Sequence, residues 1–163
     1  MNIPTKAECL AMLRSNNTPS NVIEHSIAVC KVAEAIVDHL IAKGIPINKE
    51  LVCAGAMLHD IEKTKKNHVQ TGAELVEKLG FPEVSKIIAR HSLYNFQNEE
   101  VQPHSFEEKI VFYADKRLIG SNVVQVEERF ADLKKRYDLP HLDKEFEFTL
   151  KIERELDAKN LGY

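Results

Sequence analysis

The densest chemistry in this chain is the dipeptide His59-Asp60, which follows the apolar run Ala54-Gly55-Ala56-Met57-Leu58 and precedes Ile61-Glu62-Lys63. At the end of a buried element, an imidazole and a carboxylate are costly without partners, at about 2–7 kcal/mol for an unpaired polar group and more for a charge. A metal ion is the natural partner for both. Positions three and four apart share a helix face, so helical spacing shows which other polar residues point inward. His25 lies between Val22 and Val29, and His59 follows Val52 and Ala56. Asp60 follows Cys53, Ala56 and Met57; His91 follows Ile87 and Ile88; Asp115 has Val111 before it and Leu118 and Ile119 after it. His68 opens a helix with less decisive neighbours.

A carboxylate in the last turn of a helix faces the negative end of the macrodipole, and a cation would compensate Asp60 there. His59 and Asp60 project about 100° apart on a regular helix. That divergence suits either two ligands converging on one ion or a carboxylate bridging two. Mixed imidazole and carboxylate ligands favour iron, manganese, cobalt or zinc over calcium and leave open positions for water. Each histidine alone is more commonly a surface or hydrogen-bonded core residue. Asp115 also has Arg90, Lys116 and Arg117 as alternative partners. His39 shares roughly the face of His25 but lies ~21 Å further along the helix. It is read as solvated, as are His104 and His141.

The elements that must position these residues read as helices throughout, with spacings of three and four and no sustained period-two segment. Thr5 with Glu8 forms a capping box for a first helix to about Arg14. A second follows Thr18-Pro19, with Thr18 as cap, and ends before Gly44. Asn48 caps a third that ends near Asp60; a fourth runs from about His68 to Leu79 with Gly80 as its stop, and a fifth from about Pro82 to Ser92. An irregular stretch covers Leu93 to His104, after which Ser105 and Glu108 open a helix through Leu118. Helices over about Val124 to Tyr137 and Asp143 to Asn160 finish the chain. The expectation is an all-α, single-domain bundle of seven to eight helices.

At 163 residues such a domain needs no cross-links. Cys9, Cys30 and Cys53 sit in apolar helical patterns and read as small hydrophobes in a reducing compartment. The start, Met1-Asn2-Ile3-Pro4-Thr5, lacks a secretory layout, and the expected location is the cytoplasm. A net charge of −3 gives no attraction to long nucleic acid or an anionic membrane. A small anionic substrate stays open, because bound cations reverse a local field.

The succession His25, His59-Asp60 and Asp115, with Leu58-His59-Asp60-Ile61 followed by Lys63, resembles the HD-domain superfamily of metal-dependent phosphohydrolases over about residues 20–120. The family pattern usually has Gly or Ala where this chain has Glu62, a departure that bears on the loop and on the charge near a substrate. His68, in Asn67-His68-Val69-Gln70-Thr71-Gly72, and His91, in Ile88-Ala89-Arg90-His91-Ser92, resemble the two extra histidines of binuclear members. Small size and the missing GYP signature favour the stand-alone HDIG proteins and the symmetrical dinucleoside-tetraphosphate hydrolases over GYP-type cyclic-dinucleotide phosphodiesterases.

The resemblance implies one metal held by His25, His59, Asp60 and Asp115, and a second held by His68 and His91, with Asp60 bridging. The ions would be two of iron, manganese, cobalt, zinc or magnesium. It implies hydrolysis of a nucleotide or other small phosphate ester by metal-activated water, with Asp60 and Lys63 in catalysis and Lys63, Arg90 and Lys116 on the phosphate. Tyr94 and Phe96 either stack on a base or pack as a lid. Residues 121–163 either complete the bundle or form a homodimer face. Two other readings share the ligand set: a mixed-valent di-iron oxygenase, and a non-catalytic nucleotide-binding module whose mark would be loss of ligands.

Overall fold

The computed structural model describes residues 1–137 and 142–163, so His141 lies outside the described residues. Eight helices run in order: α1 (Lys6–Ser15), α2 (Ser20–Ala42), α3 (Lys49–Leu58), α4 (His68–Lys78), α5 (Pro82–Ala89), α6 (Phe106–Asp115), α7 (Val126–Arg136) and α8 (Leu142–Leu156). A hairpin of two short strands, β1 (Leu118–Ile119) and β2 (Asn122–Val123), interrupts them. The fold is all-α, as expected. No helix among the described residues is long and apolar enough to cross a membrane.

The centre is α3, in which every residue from Leu51 to Leu58 is buried. A helix apolar all round must be enclosed, and α1, α2, α5 and α6 enclose this one. Asn48 accepts the Leu51 N–H at its start, and Gly55 lets α5 close in: a Cβ there would lie 2.6 Å from Ile87 Cγ2. α4 and α5 form an antiparallel pair turned at Gly80, whose φ of 97° suits glycine. Both predicted capping boxes are present, Thr5 with Glu8 and Ser105 with Glu108.

Several boundaries differ for physical reasons. Thr18 does not cap α2: Pro19 holds that position, and Thr18 Oγ1 instead donates to Ile61 O at 3.0 Å, joining Asn16 Nδ2 on the same carbonyl. α3 ends at Leu58 and α5 at Ala89, so His59 and His91 stand just beyond their helices. α6 stops at Asp115 because the chain turns into the hairpin, where Gly120 has φ 61°. The irregular stretch contains one 3₁₀ turn, Glu99–Val101.

The C-terminal helices pack on this core, with Ile152, Leu156 and Ala158 buried in it. Tyr113 of α6 donates to Glu153 of α8 at 2.5 Å, and buried Arg117 donates to the Tyr113 hydroxyl at 2.8 Å and to Val124 O at 2.6 Å. His39 is not simply solvated: it pairs with Asp157 at 3.1 Å, beside Lys43 at 3.1 Å. His104 is exposed.

Candidate metal centre

The six metal-ligand candidates come from five separate places in the chain, and helix ends bring them together. His25 rides the first turns of α2, His59 and Asp60 follow α3, His68 begins α4, His91 follows α5 and Asp115 ends α6. Two of the imidazoles are set by the same local device. The last carbonyls of a helix lack intrahelical donors; His59 Nδ1 donates to Ala56 O at 2.7 Å, and His91 Nδ1 to Ile88 O at 2.6 Å. His25 Nδ1 donates to Gly120 O in the hairpin turn. With Nδ1 occupied, each ring turns its Nε2 lone pair inward, the orientation that outer-shell acceptors give to ligating histidines.

The inward atoms fall into two groups around Asp60. Oδ2 of Asp60 lies 3.4 Å from His59 Nε2 and 3.8 Å from His25 Nε2. Asp115 Oδ1 completes that side, 3.0 Å from His25 Nε2 and 3.5 Å from His59 Nε2. Oδ1 of Asp60 faces the other way, 3.6 Å from His68 Nε2 and 3.5 Å from His91 Nε2. His59 is wholly buried and Asp60 is 3% exposed. Yet His59 Nε2 and Asp60 Oδ1 have no hydrogen-bond partner among the described residues. Two orphaned buried atoms that each carry a free lone pair, 3–4 Å from further ligand atoms, fit a cation. His25, His59 and Asp115 are close enough to share one ion, as are His59, Asp60 and His91.

The electrostatics agree. Burial opposes charge on His59, but Asp60 and Asp115 outweigh it and push the imidazole up to about 10. Burial raises Asp60 and Asp115; His59 and His91 hold the first well below the usual carboxylate range, and Lys116 with His25 and His59 holds the second there. The carboxylates therefore stay ionised and call for positive charge. Burial together with Lys63 lowers His68 to about 4, and burial lowers His91 against the pull of Asp60, so both offer neutral Nε2 atoms.

The cations expected on phosphate take three different positions. Lys63 Nζ sits 3.5 Å from Asp60 Oδ2 on a half-exposed side chain. Lys116 is buried; its ammonium donates to Asp115 Oδ2 at 2.8 Å and to His91 O at 3.0 Å, and lies 4.5 Å from the Phe112 ring. Arg90 pairs with Glu108 at 2.6 Å and donates to Glu100 O. Glu108, also the N3 residue of the α6 capping box, thus ties α5 to α6 and to the 93–104 loop. Glu62 is buried and faces Lys65 at 3.4 Å. Phe96 is buried edge-on against Phe148, whereas Tyr94 is 78% exposed.

Sequence reasoning did not single out Gly120 or Glu108 as parts of this site. The Gly120 signal was available: Gly-Ser between Leu118-Ile119 and Asn122-Val123 is a two-residue hairpin pattern, with positive φ at its first central position. Nothing local marks Glu108 as the partner of Arg90.

A helical bundle with a His-Asp pair at its centre and flanking histidines on neighbouring helix ends defines a class, and the chain belongs to the HD-domain family, whose model matches residues 22–118. It is 31% identical over 148 residues to an uncharacterized protein of Methanocaldococcus jannaschii, covering 82% of this chain and 87% of that one. A tRNA (cytidine(56)-2'-O)-methyltransferase of Picrophilus torridus is 34% identical over 140 residues, 77% of this chain and 40% of its own length. A dihydroneopterin 2',3'-cyclic phosphate phosphodiesterase of M. jannaschii is 32% identical over 124 residues, 64% of this chain and 49% of its own. The chain thus spans less than half the length of these two named enzymes. No solved structure matches it.

Proposed function

We propose that this chain is a metal-dependent phosphohydrolase that cleaves a small phosphodiester, using two divalent ions that share Asp60. The observation that carries the reading is the division of Asp60, with one oxygen toward His25, His59 and Asp115 and the other toward His68 and His91. Two divalent ions held by these residues would supply Lewis acidity to phosphate oxygens and lower the pKa of a water toward neutral.

The chain's own groups do the rest. Lys63, half-exposed beside Asp60, reaches outward and offsets charge on the phosphate. Lys116 works from beneath, holding Asp115 Oδ2 so that Oδ1 faces His25 and His59; it positions a ligand and does not contact substrate. Arg90, drawn to Glu108, fixes the loop that follows His91. The phosphodiesterase named among the relatives directs the first assays to diesters, and 2′,3′-cyclic phosphates above all.

Manganese- or cobalt-loaded protein is expected to hydrolyse bis(p-nitrophenyl) phosphate and nucleoside 2′,3′-cyclic phosphates. Asp60→Ala is expected to abolish turnover while the circular dichroism spectrum stays helical. Unchanged turnover in folded Asp60→Ala would refute the reading. Dioxygen uptake by the iron-loaded protein without phosphate release would favour an oxygenase, and tight nucleotide binding without turnover across several metals would favour a binding module.

A further inference from the structure

Two of the three cysteines meet. Cys30 of α2 and Cys53 of α3 are both reduced and buried, at 3% and 6% exposure. Glu34 follows Cys30 by four residues, so the two share a face of α2, and the packing of α3 on α2 brings Cys53 to that face. The two sulfurs and a Glu34 carboxylate oxygen all lie within 4.8 Å of one another. None of the three belongs to the His-Asp centre: Cys30 lies about 7.5 Å along α2 from His25, and Cys53 about 9 Å along α3 from His59. Cys9 serves as a control, because its thiol donates to Pro4 O at 3.9 Å, burial pushes it up to about 12, and it stands outside the group.

The cluster reaches solvent through its carboxylate. Glu34 is a quarter exposed and pairs at 2.5 Å with the half-exposed Lys6 of α1. A positive charge thus already sits on a carboxylate that adjoins two buried thiols. A hydrogen bond with Cys53 lowers the Cys30 thiol, which sets this pair apart from Cys9.

We propose that Cys30, Glu34 and Cys53 form a separate metal site, for zinc or another thiophilic ion. Bonds of about 2.3 Å to sulfur and 2.0–2.2 Å to oxygen, at tetrahedral angles, put the ligand atoms roughly 3.5–3.8 Å apart. That spacing falls within the observed spread, so the side chains need only close slightly. On binding, the two thiols release their protons to solvent and Lys6 leaves Glu34, while water takes the fourth position. An ion here ties α2 to α3, the helices that position His25 and His59. Thiolates select zinc over manganese, and manganese and iron stand low in the affinity order. Those two ions therefore leave this site open at concentrations that fill the His-Asp centre.

The test titrates cobalt(II), a spectroscopic stand-in for zinc, into manganese-saturated protein under a phosphine reductant. One equivalent is expected to raise a near-ultraviolet sulfur-to-cobalt charge-transfer band, which oxygen and imidazole ligands do not give, and zinc is expected to bleach it. The band should survive His59→Ala and Cys9→Ala and vanish in Cys30→Ala and in Cys53→Ala, with the circular dichroism spectrum still helical. Two substitutions at the solvent side keep the test independent of core packing. Glu34→Gln is expected to weaken cobalt binding by about tenfold or more, since losing even an outer partner of a ligand does as much, and Lys6→Ala is expected to tighten it. By elemental analysis, zinc-loaded wild type should hold one ion more than Cys30→Ala. Absence of the band, or an affinity indifferent to both Glu34→Gln and Lys6→Ala, would overturn the proposal. If reduced protein gives no band and the oxidant diamide joins Cys30 to Cys53, the pair is a redox couple and the metal site is refuted.

Discussion

Replacing Gly55 by alanine tests whether the approach of α5 to α3 is as close as the structure has it. In an ordinary helix the change is favourable by about 1 kcal/mol, because glycine is a poor helix former. Here the new methyl would lie 2.6 Å from Ile87 Cγ2, 3.1 Å from Cδ1 and 3.2 Å from Cβ. Ile87 is buried and β-branched, with few rotamers into which it can retreat. Overpacking of this kind costs about 1–3 kcal/mol. Set against the propensity gain, Gly55→Ala should lower stability by up to about 2 kcal/mol, or up to roughly 4–8 °C in Tm for a chain of this size. Urea unfolding in the presence of a chelator is the assay, so that metal linkage does not enter. In an Ile87→Ala background, which removes Cγ2 and Cδ1, most of that cost should vanish as a coupling energy of about 1–3 kcal/mol. His91, just past the end of α5, is anchored to Ile88 O beside Ile87, so the single variant should also bind metal less tightly. A Gly55→Ala protein more stable than the wild type, or a cost unaltered by Ile87→Ala, would refute the reasoning.

Three other outcomes follow from named contacts. Lys43 and His39 hold Asp157 below its ordinary value. A depressed folded-state carboxylate contributes stability that is present above its unfolded pKa, about 3.9, and lost as pH falls through the folded value. The gap between wild type and Asp157→Asn should therefore be open at pH 7 and close in acid; a gap constant down to pH ~2 would contradict the pairing. Phe96→Ala removes the ring packed 4.8 Å from Phe148 and should speed Glu-C cleavage at Glu99 and Glu100 about tenfold, with α-helical content unchanged. Unaltered cleavage would show that the loop is not held there. Manganese at about 100 times its Kd should raise Tm by roughly 5–10 °C, through about 2.7 kcal/mol of linkage, and should not do so for His59→Ala.

Five of the six candidate ligands could be singled out because each sits in a helical pattern where an imidazole or carboxylate among apolar neighbours stands out, whereas His68 has less decisive neighbours. Cap chemistry was equally readable at Thr5, Asn48 and Ser105, where donor and acceptor are three residues apart. What escaped depends on contacts distant in sequence. Thr18 looked like a cap because the competing acceptor, Ile61 O, is 43 residues away. His39 looked solvated because Asp157 is 118 residues away. Two-residue strands produce no alternation, so the hairpin that carries Gly120 was read as helix and linker. Arg90 carried no local sign of whether it faces a phosphate or a carboxylate, since Glu108 is 18 residues away; for Lys116 the neighbouring Asp115 was already among the partners the sequence offered.

The sharing of Asp60 between two ions is tested most directly by counting metal. Elemental analysis of wild-type protein loaded anaerobically with iron, or with manganese, should give about two ions per chain, and the His68→Ala, His91→Ala double variant should give about one. The remaining ion should be lost on Asp115→Ala. A wild-type count of one that the double variant leaves unchanged would contradict the account, since His68 and His91 would then hold nothing.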